Sequence, residues 1–141
     1  MPALMHNILA ISRCSTAYRQ PILAPLGIKP MHASYLICIC RNPGITQDQL
    51  SKKLFLDKSS VARQISFLEE NGFINRQGSE TDRRVMHVYP TQKAIDALPE
   101  VRKSFRDWEN LVSEGLTDEE RDVLVSLLEK LKQRASEWME G

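Results

Sequence analysis

Residues 46–91 constrain the fold of this chain more than any other stretch. They hold two short amphipathic segments, a turn between them and two extended runs joined by a charged loop, in that order. Thr46 followed three residues later by Gln49 has the form of a capping box, in which the hydroxyl accepts the Gln49 N–H and the Gln49 side chain reaches back. Leu50 and Leu54, four apart, give this first helix one apolar side. After Leu56, Asp57 suits the N-cap of a second helix, both as an acceptor and as a negative charge at the positive end of the helix dipole. Asn71-Gly72 closes that helix, since Gly takes the left-handed conformation at little cost. Val61, Ile65 and Leu68 share one face and are expected to enter the core. Ser60, Arg63, Gln64 and Phe67 fall on a separate stripe whose groups suit base edges: Arg for guanine, Gln for adenine, hydroxyls for either and an apolar group for the thymine methyl. Lys58 and Ser59 occupy the first turn, where backbone N–H groups and side chains bind phosphate. The order is that of a helix-turn-helix followed by a β-hairpin wing.

Taken alone, the polar stripe fits a solvated surface equally well, and the segment after it shifts the balance. Residues 73–77 and 85–89 read as strands and residues 78–84 as the loop between them. Residues two apart in an extended segment share a face, so Asp82 can pair with Arg84 while Arg83 points the other way. One arginine is then shaped by a carboxylate and the other is free for a phosphate or the minor groove.

The residues now on the page resemble the MarR family of transcription regulators. The resemblance is carried by Thr46-Gln47-Asp48-Gln49-Leu50-Ser51, Ser60-Val61-Ala62-Arg63-Gln64-Ile65, Leu68-Glu69-Glu70-Asn71-Gly72-Phe73-Ile74-Asn75-Arg76, Asp82-Arg83-Arg84 and the helix start at Pro90-Thr91. The chain departs from the family at Ala62, where a hydroxyl residue is usual, and at Ala94, where Gly is usual. The resemblance implies a mainly α fold with a small β-hairpin wing. A winged helix-turn-helix lobe at about 31–91 would be flanked by dimerisation helices at about 1–25 and 95–141, all within a single domain spanning 1–141. It further implies a homodimer on double-stranded DNA, with half-sites of a palindromic operator one helical turn, about 34 Å, apart. The expected activity is that of a repressor released by a small-molecule effector. In this reading Ser60, Arg63 and Gln64 read bases, Thr46, Lys58, Ser59 and Arg76 meet phosphates, and Arg83 or Arg84 enters a groove, shaped by Asp82. The family's effector pocket maps to the neighbourhood of Met31, His32, Tyr35 and Trp108, although core packing is the better expectation for each.

Composition sets the outer limits. A chain of 141 residues can bury a real core as one domain, and its 42% hydrophobic and 26% charged residues are those of an ordinary soluble protein. The net charge of +1 decides nothing, because placement matters more than the total. Residues 41–93 carry nine basic and six acidic side chains, whereas residues 94–141 carry seven and twelve. The DNA-facing region is thus expected to be positive and the tail negative. No apolar run is long enough for a membrane span, and the amino terminus lacks the basic opening of a signal peptide, so no membrane partner and a cytoplasmic location are expected.

Residues 3 to about 20 read as a helix with Leu4, Ile8 and Ile11 on one side, broken by Pro21, Pro25, Gly27 and Pro30. Residues 31–41 form an apolar helix, expected beneath the helix-turn-helix. Ile45 can add a short third strand. Thr91 caps a long helix with Ile95, Leu98, Val101, Phe105, Trp108 and Val112 at helical spacing, which Pro99 is expected to kink or divide. Residues 113–116 turn the chain, Thr117 and Glu120 form a second capping box, and the last helix runs to about Met139. Its Leu124, Leu127, Leu128, Leu131 and Trp138 form a stripe broader than one neighbour covers, so a second copy of the chain is the expected partner.

Enzymatic chemistry is not expected. No catalytic triad, phosphate loop or carboxylate pair is present, Cys38 and Cys40 lie on nearly opposite helix faces, and His6, His32 and His87 lack ligand spacing, so no metal or cofactor is assigned. A winged helix used as a protein-interaction module remains an alternative, for which an exposed Phe67 is the hint. A second alternative is thiol-based redox sensing through Cys14, although the peroxide-sensing subgroup places its reactive thiol near Leu4 or Met5 instead.

Overall fold

The structure, a computed structural model, describes residues 2–141. Six helices and three short strands follow in the order α1 (Ala3–Leu23), α2 (Pro30–Arg41), β1 (Ile45–Thr46), α3 (Gln47–Leu54), α4 (Lys58–Glu70), β2 (Ile74–Gly78), β3 (Met86–Pro90), α5 (Gln92–Val112) and α6 (Asp118–Glu140). A single 3-10 turn, Ala24–Leu26, joins α1 to α2. The fold is mainly helical with a three-stranded antiparallel wing, and the chain forms two compact units that divide after Arg106.

In the first unit α2 is the central post. Its His32, Ala33, Tyr35, Leu36 and Ile39 are buried, and it packs on α1, α3 and β3. Val61, Ile65 and Leu68 of α4, Leu50 of α3, Phe73, Ile74 and Val88 complete one core. The sheet order is β1-β3-β2, with Ile45 opposite Val88 and Arg76 opposite Val88 on the other side. Ile45 thus supplies the third strand. Gly44 precedes it at φ +88°, close against the Tyr89 ring, where a side chain would be strained and crowded. The wing strands lie one residue later than periodicity placed them, because pairing continues to Gly78–Met86 before the loop opens.

Two prolines expected to end, kink or divide helices leave them undivided. α1 continues through Pro21 to Leu23, and α5 runs unbroken through Pro99. Each proline frees only the carbonyl four residues earlier, at Ala17 and Ile95. Both positions are exposed, so water can satisfy the freed carbonyl. The apolar pattern of α5 is also only partly inward. Val101 is buried together with Ala94, Ala97 and Ser104, while Ile95 and Val112 face solvent. Ala94, at the position where Gly is usual in the family, is fully buried.

Along α1, Leu4 and Ile11 are exposed, and burial begins only at Arg19 and Leu23. The second unit is dominated by α6, which starts at the Thr117 and Glu120 capping box and buries no residue. Leu124, Leu127, Leu128, Leu131 and Trp138 are all exposed, Trp138 at 79%. A shallow apolar groove runs beside Leu116, Val123, Leu124 and Leu127.

Candidate nucleic-acid interface

α3 opens as the sequence indicates. The Thr46 hydroxyl accepts the Gln49 N–H at 3.1 Å, and Gln49 Oε1 accepts the Thr46 N–H at 3.0 Å. The turn to α4 places Phe55 in the left-handed region at φ 57°, with Leu56 N–H donating to the Ser51 carbonyl at 3.0 Å. Asp57 then caps α4, accepting the Ser60 N–H at 2.8 Å, the Ser59 hydroxyl at 2.7 Å and the Ser60 hydroxyl at 2.8 Å. These bonds, Ser59's foremost, hold the Asp57 carboxyl well below the usual carboxylate range. Arg63 donates to Ser60 Oγ at 3.2 Å. A short relay from Asp57 through Ser60 therefore orients the exposed Arg63 and leaves most of its five donors unspent. Lys58 sits 3.5 Å from Asp48, both side chains well exposed, a pair that a phosphate can displace at little cost.

The wing tip follows the predicted pairing. Asp82 accepts the Arg84 backbone N–H at 3.0 Å and its guanidinium at 3.2 and 3.3 Å, and the Arg84 side-chain bonds are the main reason its carboxyl lies below the usual range. The loop is closed by Ser79 N–H to the Val85 carbonyl and Val85 N–H to the Asp82 carbonyl. Arg83 is exposed and makes no hydrogen bond or ion pair among the described residues.

Three side chains read as outward-facing are half-buried and engaged by neighbours. Gln64 Oε1 lies 2.8 Å from His32 Nε2, and the Phe67 ring stacks on the imidazole at 4.5 Å between centroids and 8° between planes. Phe67 is half-buried against the core, so the hint of an exposed protein-docking aromatic is gone. Arg76 is bound by Glu69, its N–H at 3.1 Å from Oε2 and its guanidinium at 3.0 and 3.2 Å from Oε1. That pair ties β2 to α4, and a phosphate would have to share the arginine with it. Glu69 was visible in the sequence, but its partner lies seven residues away across a chain reversal that helical periodicity does not record.

Elsewhere, His32 and Tyr35 are buried, Met31 is exposed, and Trp108 is half-buried in the second unit. Sequence reasoning missed Arg19. It is only 7% exposed, lies 4.1 Å from the Phe105 ring centre and donates through Nε to Ser15 at 3.1 Å, while its Nη1 has no partner among the described residues. The four-residue spacing from Ser15 was the available signal. Cys14 is exposed, whereas burial pushes the Cys38 and Cys40 thiols up, away from reactivity.

Two helices meeting at a tight turn, a three-stranded wing and exposed arginines on both define a winged helix-turn-helix. Residues 28–86 match the MarR family. A Thauera aromatica protein named as a transcriptional regulatory protein for the hcr operon is 33% identical over 124 residues, covering 86% of this chain and 75% of that one. The HTH-type transcriptional regulator YybA of Bacillus subtilis is 31% identical over 98 residues, covering 70% of this chain and 65% of its own length. A MarR-family transcriptional regulator of Listeria monocytogenes, solved in complex with 26mer DNA, superposes with a TM-score of 0.89 at 25% identity, covering 97% of this chain and 91% of that one. The chain belongs to the MarR family of transcription regulators.

Proposed function

We propose that the protein is a sequence-specific DNA-binding repressor that acts as a homodimer on a palindromic operator and is released by a small-molecule effector. The observation that carries DNA binding is the pair of exposed arginines at separate points of one compact unit: Arg63 oriented through Ser60 and Asp57, and Arg83 at a wing tip shaped by Asp82 and Arg84. Arg63 with Ser60 reads base edges in the major groove. Thr46, Lys58 and Ser59 meet phosphate at the helix starts, and Arg83 reaches the minor groove or its phosphates. Gln64 contributes through its amide nitrogen. Arg76 acts on phosphate only while sharing Glu69, and Arg84 chiefly shapes the loop.

Dimerisation is supported by the apolar faces that α1 and α6 each leave exposed, since monomers rarely present contiguous apolar patches of that kind. Effector release is supported by family membership. The regulator named for the hcr operon and the Listeria protein bound to 26mer DNA support the same reading of this chain.

Fluorescence anisotropy on duplexes from upstream of the encoding gene tests the proposal. Binding whose logarithm falls linearly with the logarithm of salt concentration, and which strengthens on one upstream sequence over a scrambled duplex, is the expected result. Equal, weak binding to both would overturn it.

A further inference from the structure

We infer that His32 is a positioning residue that sets the polarity of the Gln64 amide, so that Gln64 meets the major groove as a hydrogen-bond donor. This rests on the proposed reading of bases by α4. The two ends of a glutamine amide have almost the same shape, and an unrestrained Gln turns whichever end a base requires. Its bidentate match is adenine, accepting from N6 and donating to N7.

Here the choice is made in advance. The Lys29 backbone N–H donates to His32 Nδ1 at 3.0 Å, so that nitrogen is the acceptor and the neutral ring carries its proton on Nε2. The Nε2–H therefore donates to Gln64 Oε1 at 2.8 Å. Phe67, one turn beyond Gln64 on the same helix, stacks on the imidazole nearly in parallel and fixes its plane. His32 is 1% exposed, and burial, with the nearby Lys29 charge, keeps the ring neutral.

With Oε1 turned to His32, the Nε2 amino group is the end left for DNA. A donor suits guanine O6 and N7 or thymine O4, retains only the N7 contact of adenine and finds nothing on cytosine, whose major-groove group is itself a donor. The base facing Gln64 should therefore be guanine or thymine, with cytosine depleted and without the adenine preference of an unrestrained glutamine.

Selection of bound duplexes from a randomised library tests this with the wild type and three variants. Gln64→Ala should flatten one position per half-site. His32→Asn can still accept the Lys29 N–H but is too short to reach Gln64. At that same position it should raise adenine relative to guanine and thymine by roughly fivefold, the lower end of one base contact, and leave other positions unchanged. Gln64→Glu leaves His32 intact, still accepts its Nε2–H and offers DNA only oxygens, so preference should move away from guanine and thymine to the bases with an amino donor, cytosine N4 and adenine N6. If His32→Asn fails to fold, the wild-type position decides the matter: adenine as the preferred base there would overturn the inference. An unaltered position in His32→Asn, while Gln64→Ala flattens it, would overturn the inference alone. Gln64→Ala without effect at any position would overturn base reading by Gln64 and the inference with it. A uniform loss across all positions in His32→Asn would reduce His32 to a packing role.

Discussion

Arg63 shows how much a single side chain depends on its neighbours. Its position on α4 follows from helical spacing, but its usefulness follows from Ser60 and Asp57, which hold it without consuming its charge. Arg63→Ala should cost about 1–3 kcal/mol of binding at one base position and leave other positions alone; an equal loss on every duplex would make Arg63 a phosphate contact. Arg83 is the contrasting case. With no partner among the described residues, Arg83→Ala should weaken binding uniformly and lower the slope of log affinity against log salt by about one, measured by anisotropy titrations at several salt concentrations. Both arginines are legible in the sequence because what shapes them lies close by: Ser60 stands three residues before Arg63, and the Asp82–Arg84 pair flanks Arg83. Gln64 and Arg76 were read outward because their partners, His32 and Glu69, come from other elements. A helical wheel gives the face a residue occupies but not what approaches that face.

At the scale of elements, the caps at Thr46, Asp57 and Thr117 were readable because each is decided within three or four residues. The prolines were not, since the outcome depends on whether the freed carbonyl can reach water. The junction of α2 with α4 has a pH consequence. The His32 pKa is lowered in the fold by burial, so above about pH 6.5, the ordinary histidine value, the ring is neutral folded or unfolded. Below it the unfolded chain takes up a proton that the folded ring refuses, and stability falls as pH drops toward the folded pKa. Glu69, lowered chiefly by the Arg76 hydrogen bonds, adds a second loss only below about pH 4.5, its ordinary value. Urea midpoints should therefore fall from pH 7 to 5.5, and His32→Gln should flatten that segment of the profile. An identical slope in both proteins would contradict the neutral, buried imidazole.

On the scale of the whole molecule, one fact is out of balance: α6 buries nothing, and the first turns of α1 expose Leu4 and Ile11. The sequence already showed a leucine stripe too broad for one neighbour, and the single chain leaves it uncovered. Placing aspartates there, as in Leu127→Asp with Leu131→Asp, should convert a dimer to a monomer in analytical ultracentrifugation and weaken operator binding at least tenfold. The thermal transition of the winged lobe should persist. A wild type that sediments as a monomer would contradict the proposed assembly.

Hydroxyl-radical footprinting on a selected duplex puts the central claim to its most direct test, because it reports where each recognition helix and wing lies. The account predicts two symmetric protected patches centred one helical turn, about 34 Å, apart, with Arg83→Ala opening the flank of each. A single patch, or even protection along the whole duplex, would contradict it.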